Sequence, residues 1–458
     1  MSKKTIVLAL ALVVALALPA FAEVEEVTVG GSIQVRGQVL TPGVDPSGSS
    51  GAIGFDDDIN ENDWITQRTR VNVDAKLSGG VRGFVELQSY DFWGTEAEVA
   101  EEIDGFEDGF LSSTTGGAED DVDLYQAYIE MNDIADYPFM LRIGRQELVY
   151  GREWLVGNND AGVDFFGLSF DAVKASYNDD LFQIDAWWSK LEENTAPSAS
   201  EVEQDGDVDF YGVYGTYKGL EDIAIDGYWL FVRDGVDSGS GFDNLKLHTV
   251  GARGAGMWDL GAGVLDANIE AAFQFGDNGE DGDYEGWAFN AMAGYTFNDV
   301  QWSPRLEGEY VYFSGDDDAA DEDSEEFVRL FSDVHYGELN LGGTLDAAAT
   351  NLHIFKIGGS IVPVERLTLK ADFYYFLLAE DDEEGGATTF GIDQGTASAD
   401  DNPGYELDIV ADYQYTEDLN LRVGWAHFFA DDAIENSWGA GTSDDDVDYV
   451  YAQAMLVF

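Results

Sequence analysis

Charged residues in this sequence recur two positions apart. Arg68 and Arg70 are separated by one residue, as are Glu307 and Glu309, Lys370 and Asp372, and Glu406 and Asp408. On an extended chain such pairs share a face. A face of fixed cations and carboxylates is suited to attracting, orienting or selecting ions rather than to making bonds. Arg142, Arg253, Arg305, Arg366 and Arg422 sit in similar settings. The stretch LRIGRQELVYGR adds Arg145 and Arg152 to Arg142, in a chain with 22 Lys+Arg against 91 Asp+Glu and a formal net charge of −69. Acid–base catalysis finds little support. The four histidines, His248, His335, His353 and His427, are scattered and no nucleophile motif accompanies them. His248, His353 and His427 share faces with apolar residues, as interfacial polar tips do. Cysteine is absent, and no histidine cluster has the spacing of a metal site. No catalytic residue, cofactor or dedicated metal site is therefore expected. The charge also argues against a nucleic-acid partner.

These residues are placed by strands. In WITQRTRVNVDAKL, from Trp64 to Leu77, Ile65, Val71, Val73, Ala75 and Leu77 fall on one face and Arg68, Arg70, Asn72, Asp74 and Lys76 on the other. Strict alternation marks a strand with one apolar and one polar side. The same pattern runs through 27–39, 366–377 and 406–415. Counted along the chain it predicts about 18 strands, among them 138–149, 163–178 and 404–416. The connections alternate between short turns such as SGG at 78–80 and long segments at 41–62, 93–120, 191–206, 315–350 and 379–403. Strands of roughly ten residues or more joined this way predict an all-β, transmembrane antiparallel barrel with short periplasmic turns and long acidic extracellular loops. Trp187, Trp188, Trp229, Trp258, Trp287, Trp302, Phe428 and Phe429 lie near strand ends and suit interfacial girdles. Outer-membrane lipids are then the immediate partner.

Residues 1–22 read as a secretory signal: Lys3 and Lys4, an apolar run and AFA ending at Ala22. The barrel would then occupy 23–458, localised to the outer membrane of a Gram-negative cell. The final YVYAQAMLVF resembles a closing strand recognised by the outer-membrane assembly machinery. Acidic runs such as FDDDINEND and GDDDAADEDSEE read first as solvated loop surface. Loosely bound Ca²⁺ or Mg²⁺ at these loops, or a cation-attracting mouth, is the sharper reading.

Several stretches resemble the alginate-export family of outer-membrane porins: LRIGRQELVYGREWLVG, PRLEGEYVYFSGDDD, the run from Asn351 to Phe376, and PGYELDIVADYQYTEDLNLRVGWAHFF. The resemblance implies a monomeric eighteen-stranded channel for passive diffusion of small hydrophilic solutes or ions. Its polar face would line the pore with Arg68, Arg70, Arg142, Arg253, Arg305, Glu307, Glu309, Arg366, Lys370, Asp372, Glu406, Asp408 and Arg422. In one reading a basic stripe faces Glu307 and Glu309 across the constriction. In the other the charges are ion pairs that hold the wall. Arg145 breaks this parity and is expected near the outer rim, after a bulge, and Arg152 in a loop. So many carboxylates argue against a polyuronate cargo. A structural or ion-binding barrel with acidic surface loops is the alternative function.

Overall fold

Period-two patterning commits the chain to extended structure almost throughout. The computed structural model describes residues 24–41, 62–93, 122–160, 165–193, 207–235, 245–278, 282–316, 323–339, 350–380, 401–431, 433 and 446–458. Residues 1–22, read above as a signal, and most of the acidic loop runs lie outside these. The strands are β1 (Val24–Thr41), β2 (Asn62–Leu77), β3 (Val81–Phe92), β4 (Asp123–Met131), β5 (Phe139–Gln146), β6 (Phe170–Asn178), β7 (Phe182–Glu192), β8 (Val208–Leu220), β9 (Ile223–Asp234), β10 (Lys246–Asp259), β11 (Gly263–Asp277), β12 (Asp283–Tyr284), β13 (Trp287–Phe297), β14 (Arg305–Phe313), β15 (Leu352–Val364), β16 (Leu367–Leu378), β17 (Gly404–Gln414), β18 (Leu419–Ala430) and β19 (Val447–Val457). Within the sheet the two-residue β12 pairs with the end of β11, which pairs with β13 below it. The wall therefore has 18 strands, each antiparallel to its neighbours.

β1 pairs with β2 on one side and β19 on the other, so the sheet closes and has no free edge. The main chain of Phe458 adds two hydrogen bonds to Gly31 at this seam, 2.9 and 3.0 Å. Closure satisfies every ladder group, as a spanning sheet must in hydrocarbon.

Burial is inverted relative to a water-soluble barrel. Leu306 and Ile357 are 62% and 68% exposed, while Arg68 and Glu406 are 2% and 3% exposed. Exposed apolar and buried charged residues alternate along β2, β14 and β16. A cation turned outward would cost about 2–4 kcal/mol near the bilayer midplane, which fixes the register of each strand. On the inner face, rings of Trp187, Tyr228 and Tyr451 lie over the glycines directly across from them, Gly212, Gly251 and Gly424. A Cβ at those glycines would come within 2.0–2.3 Å of the rings.

The structure corrects three expectations. Trp187 and Phe428 face inward and are buried, whereas their neighbours Trp188 and Phe429 face outward; adjacent residues on a strand cannot both join a girdle. The register of β5 with β4 and β6 is continuous, so Arg145 is on the outer face without a bulge. Among the described residues the strand expected from residue 163 begins at Phe170, and residues 165–169 turn into the barrel.

Candidate functional site: a lumen crossed by two segments

Two connections at the long-loop rim fold inward. One joins β5 to β6 and includes 147–160 and 165–169; the other joins β14 to β15 and includes 323–339. Their interior position follows from their partners. Arg68 and Arg70 of β2 bind Asp160 of the first segment, Arg70 at 3.0 Å. On the opposite side of the wall, Arg152 of the same segment reaches Glu309 of β14 at 3.0 Å and Asn290 of β13 at 3.3 Å. One segment can touch both β2 and β14 only across the interior.

The second segment is pinned elsewhere. The amides of Glu338 and Leu339 donate to Asp408 (3.0 Å) and Glu406 (2.8 Å) of β17. The carboxylate of Glu338 accepts from Arg422 of β18 at 2.7 Å and from the Tyr451 hydroxyl of β19 at 2.6 Å. Gln274 of β11 makes a two-bond clasp to the main chain of Val328, 2.7 and 2.8 Å.

The segments also hold each other. Val156 and Phe331 form a parallel bridge. The Phe331 amide donates to Leu155 O at 3.0 Å, the Gly157 amide to Phe331 O at 2.7 Å, and the Asp333 amide to Glu153 O at 2.9 Å. Trp154 Nε1 donates to the Tyr336 hydroxyl at 2.9 Å. Around this bridge Trp154, Leu155, Phe327 and Phe331 pack with Phe170, Phe210 and Phe313 of the wall. An apolar core thus lies inside a barrel whose inner wall is otherwise charged. Burial pushes the carboxyls of Glu147 and Glu153 above their ordinary range, against a hydrogen bond from the Tyr125 hydroxyl in the first case and the Asn158 amide in the second. Burial, with Asp316 nearby, takes Glu326 up to about 7 against a hydrogen bond with Thr350.

Most of the remaining inner-face charges pair along the wall; Lys174, over the Tyr150 ring, and Glu86, held by the Asn72 and Gln126 amides, are exceptions. Arg142 binds Glu130 with Nε at 2.8 Å, Arg253 binds Asp226 at 2.6 Å, and Lys370 binds Asp372 at 2.7 Å. Arg305 bridges Asp266 and Glu307. Glu307 also takes Lys356, and Glu309 takes Arg152. Cations and carboxylates are therefore neighbours here rather than rows opposed across an open gap. Arg366 stands apart: it occupies the short turn between β15 and β16 at φ 71° and donates to Tyr415 O at 3.2 Å.

Sequence reasoning left Arg152 in a loop and missed Asp160 and Glu338. A signal was present. EEFVRLFSDVHYGEL, from Glu325 to Leu339, places seven large apolar or aromatic side chains in an otherwise Asp- and Gly-rich loop, and EWLVG from Glu153 does the same on a smaller scale.

Residues 48–447 match the sequence family described as Alginate export. The chain belongs to the alginate export family. No curated protein matches it in sequence. Its fold is similar to that of Acinetobacter baumannii OccAB2, with a TM-score of 0.60 at 10% identity over 94% of this chain and 98% of that one. Pseudomonas aeruginosa OccK8 (OprE) is similar at a TM-score of 0.55 and 14% identity, with the same coverage. Pseudomonas aeruginosa OccK2 (OpdF), solved in complex with glucuronate, is similar at 0.56 and 12%, again over 94% and 98% of the two chains. The protein is an outer-membrane β-barrel porin of the alginate export family.

Proposed function

We propose that this porin passes small hydrophilic ions and solutes with a weak preference for cations, and that polyuronates are not its cargo. The observation that carries this reading is the pairing of inner-face cations. Arg68, Arg70, Arg142, Arg152, Arg253, Arg305, Lys370 and Arg422 each hold a carboxylate. A polyanion would find no unopposed basic track, and the surplus of acids biases the potential toward cations. The pore-lining set is Arg68, Arg70, Arg142, Arg253, Arg305, Glu307, Glu309, Lys370, Asp372, Glu406, Asp408 and Arg422. The inward segments form the constriction.

The rest of the reading is a monomer of residues 23–458, inserted by the outer-membrane assembly machinery after removal of 1–22. It works without a cofactor or catalytic activity. Ca²⁺ or Mg²⁺ binds loosely at the acidic loops. Reversal potential across a planar bilayer in a KCl gradient tests the selectivity. The expected sign is cation preference; a clear chloride preference overturns it. Insertion without any conductance would favour a structural, ion-binding barrel, a reading that the apolar packing within the lumen keeps in play.

A further inference from the structure

The outer face carries a feature that conduction does not use. At the long-loop end of β5 to β11, cross-strand register aligns Arg145, Asp171, Lys190, Asp209, Arg233, Lys246 and Asp277 in one row. All seven share the strand parity of the exposed apolar residues, so the row faces away from the lumen. Among the described residues, the outward-facing wall positions carry no lysine or arginine except the four in this row. Two positions nearer the midplane, the same strands align Trp188, Tyr211, Phe231, His248 and Phe275. Phe231 and His248 stack at 4.2 Å, and His248 and Phe275 at 5.1 Å.

An aromatic row marks the hydrocarbon boundary, so the charged row sits at the level of the outer-leaflet headgroups. Charge is tolerated there, where the lipid-facing penalty falls to about 0–1 kcal/mol. Tolerance does not explain why all the outward basic residues gather on six consecutive strands. Neighbouring strands are about 4.8 Å apart, so the row runs roughly 30 Å along the rim. Toward its β11 end Arg233 and Lys246 are adjacent with no acid between them. Each is steadied from its far side, Arg233 by Asp209 at 4.0 Å and Lys246 by Asp277 at 2.8 Å. Both side chains remain well exposed, 37% and 48%.

We propose that this row is a docking surface for the phosphate-bearing headgroup of an outer-leaflet glycolipid, with Arg233 and Lys246 holding a phosphate and the aromatic row below packing on the acyl chains. Two adjacent cations above an apolar shelf match an anionic head on a hydrocarbon tail. The proposal rests on the outer-membrane placement and is independent of which ion the lumen prefers.

The test uses detergent-solubilised full-length protein and deep-rough lipopolysaccharide as probe, with retained lipid read by native mass spectrometry. Dephosphorylated lipid A and phosphatidylglycerol are run alongside. The wild type is expected to retain the phosphorylated glycolipid, and R233Q/K246Q to weaken it by about 30-fold, from roughly a factor of five per cation. R145Q/K190Q, on the other side of Asp209, loses less. Unchanged heat-modifiable gel mobility and conductance show that the variants fold. Equal retention by wild type and R233Q/K246Q overturns the proposal. So does wild type retaining dephosphorylated lipid A or phosphatidylglycerol as well as the phosphorylated glycolipid, arms that need no variant.

Discussion

Arg152 joins a loop to the far wall, and its bond to Glu309 shows what the inner charges do. Glu309 is 9% exposed. Removing its partner leaves a nearly buried carboxylate unpaired, at a cost of about 3 kcal/mol. Arg152→Ala is therefore expected to loosen the first segment and raise the frequency of high-conductance openings, while Arg152→Lys retains most of the wild-type behaviour. Single-channel recordings compare the two; identical traces for wild type and Arg152→Ala would remove Arg152 from the constriction. Residue positions were legible where alternation rules. The inward parity of Arg68, Glu307 and Asp408 follows from their apolar neighbours. Arg152, Asp160 and Glu338 were not, because outside a strand parity carries no information about direction. Arg366 shows the converse: its parity matches Lys370, but the chain turns before it and leaves it at the rim.

At the scale of elements, the strands and the segments they carry follow different rules. A strand's register is set by a penalty of several kcal/mol per misplaced charge, and that penalty is written in the sequence. The segments are set by long-range partners, the Val156 to Phe331 bridge and the Glu338 anchor, which no local pattern encodes. Their three raised carboxyls, Glu147, Glu153 and Glu326, couple docking to pH. An acid whose folded-state pKa is raised favours the docked state fully below its unfolded value, about 4.3 for Glu. That advantage is lost as pH rises through the docked value, about 7 for Glu326. Closures should accordingly lengthen as pH falls from 7 to 5, and Glu326→Gln should flatten that dependence. Closed times that shorten over the same range would contradict the sign.

At the scale of the whole molecule, the barrel separates three environments by residue type: oily side chains outward, paired charges inward, and an apolar knot within the lumen. The outward oily face and the inward charged face, though not whether the inward charges pair or oppose across a gap, were readable from period-two alternation, and the strand number with them. The third was not, because large apolar residues in a loop look alike whether they face inward or cover another surface. The central claim is that the two segments, and not the wall, set the width of the path. It is tested most directly by single-channel conductance of the wild type beside a variant in which residues 325–339 are replaced by a shorter Gly-Ser linker, both checked for heat-modifiable folding. The account predicts a conductance at least about twofold larger in the variant, as removal of a constriction requires. Equal conductances in two correctly folded barrels would contradict it.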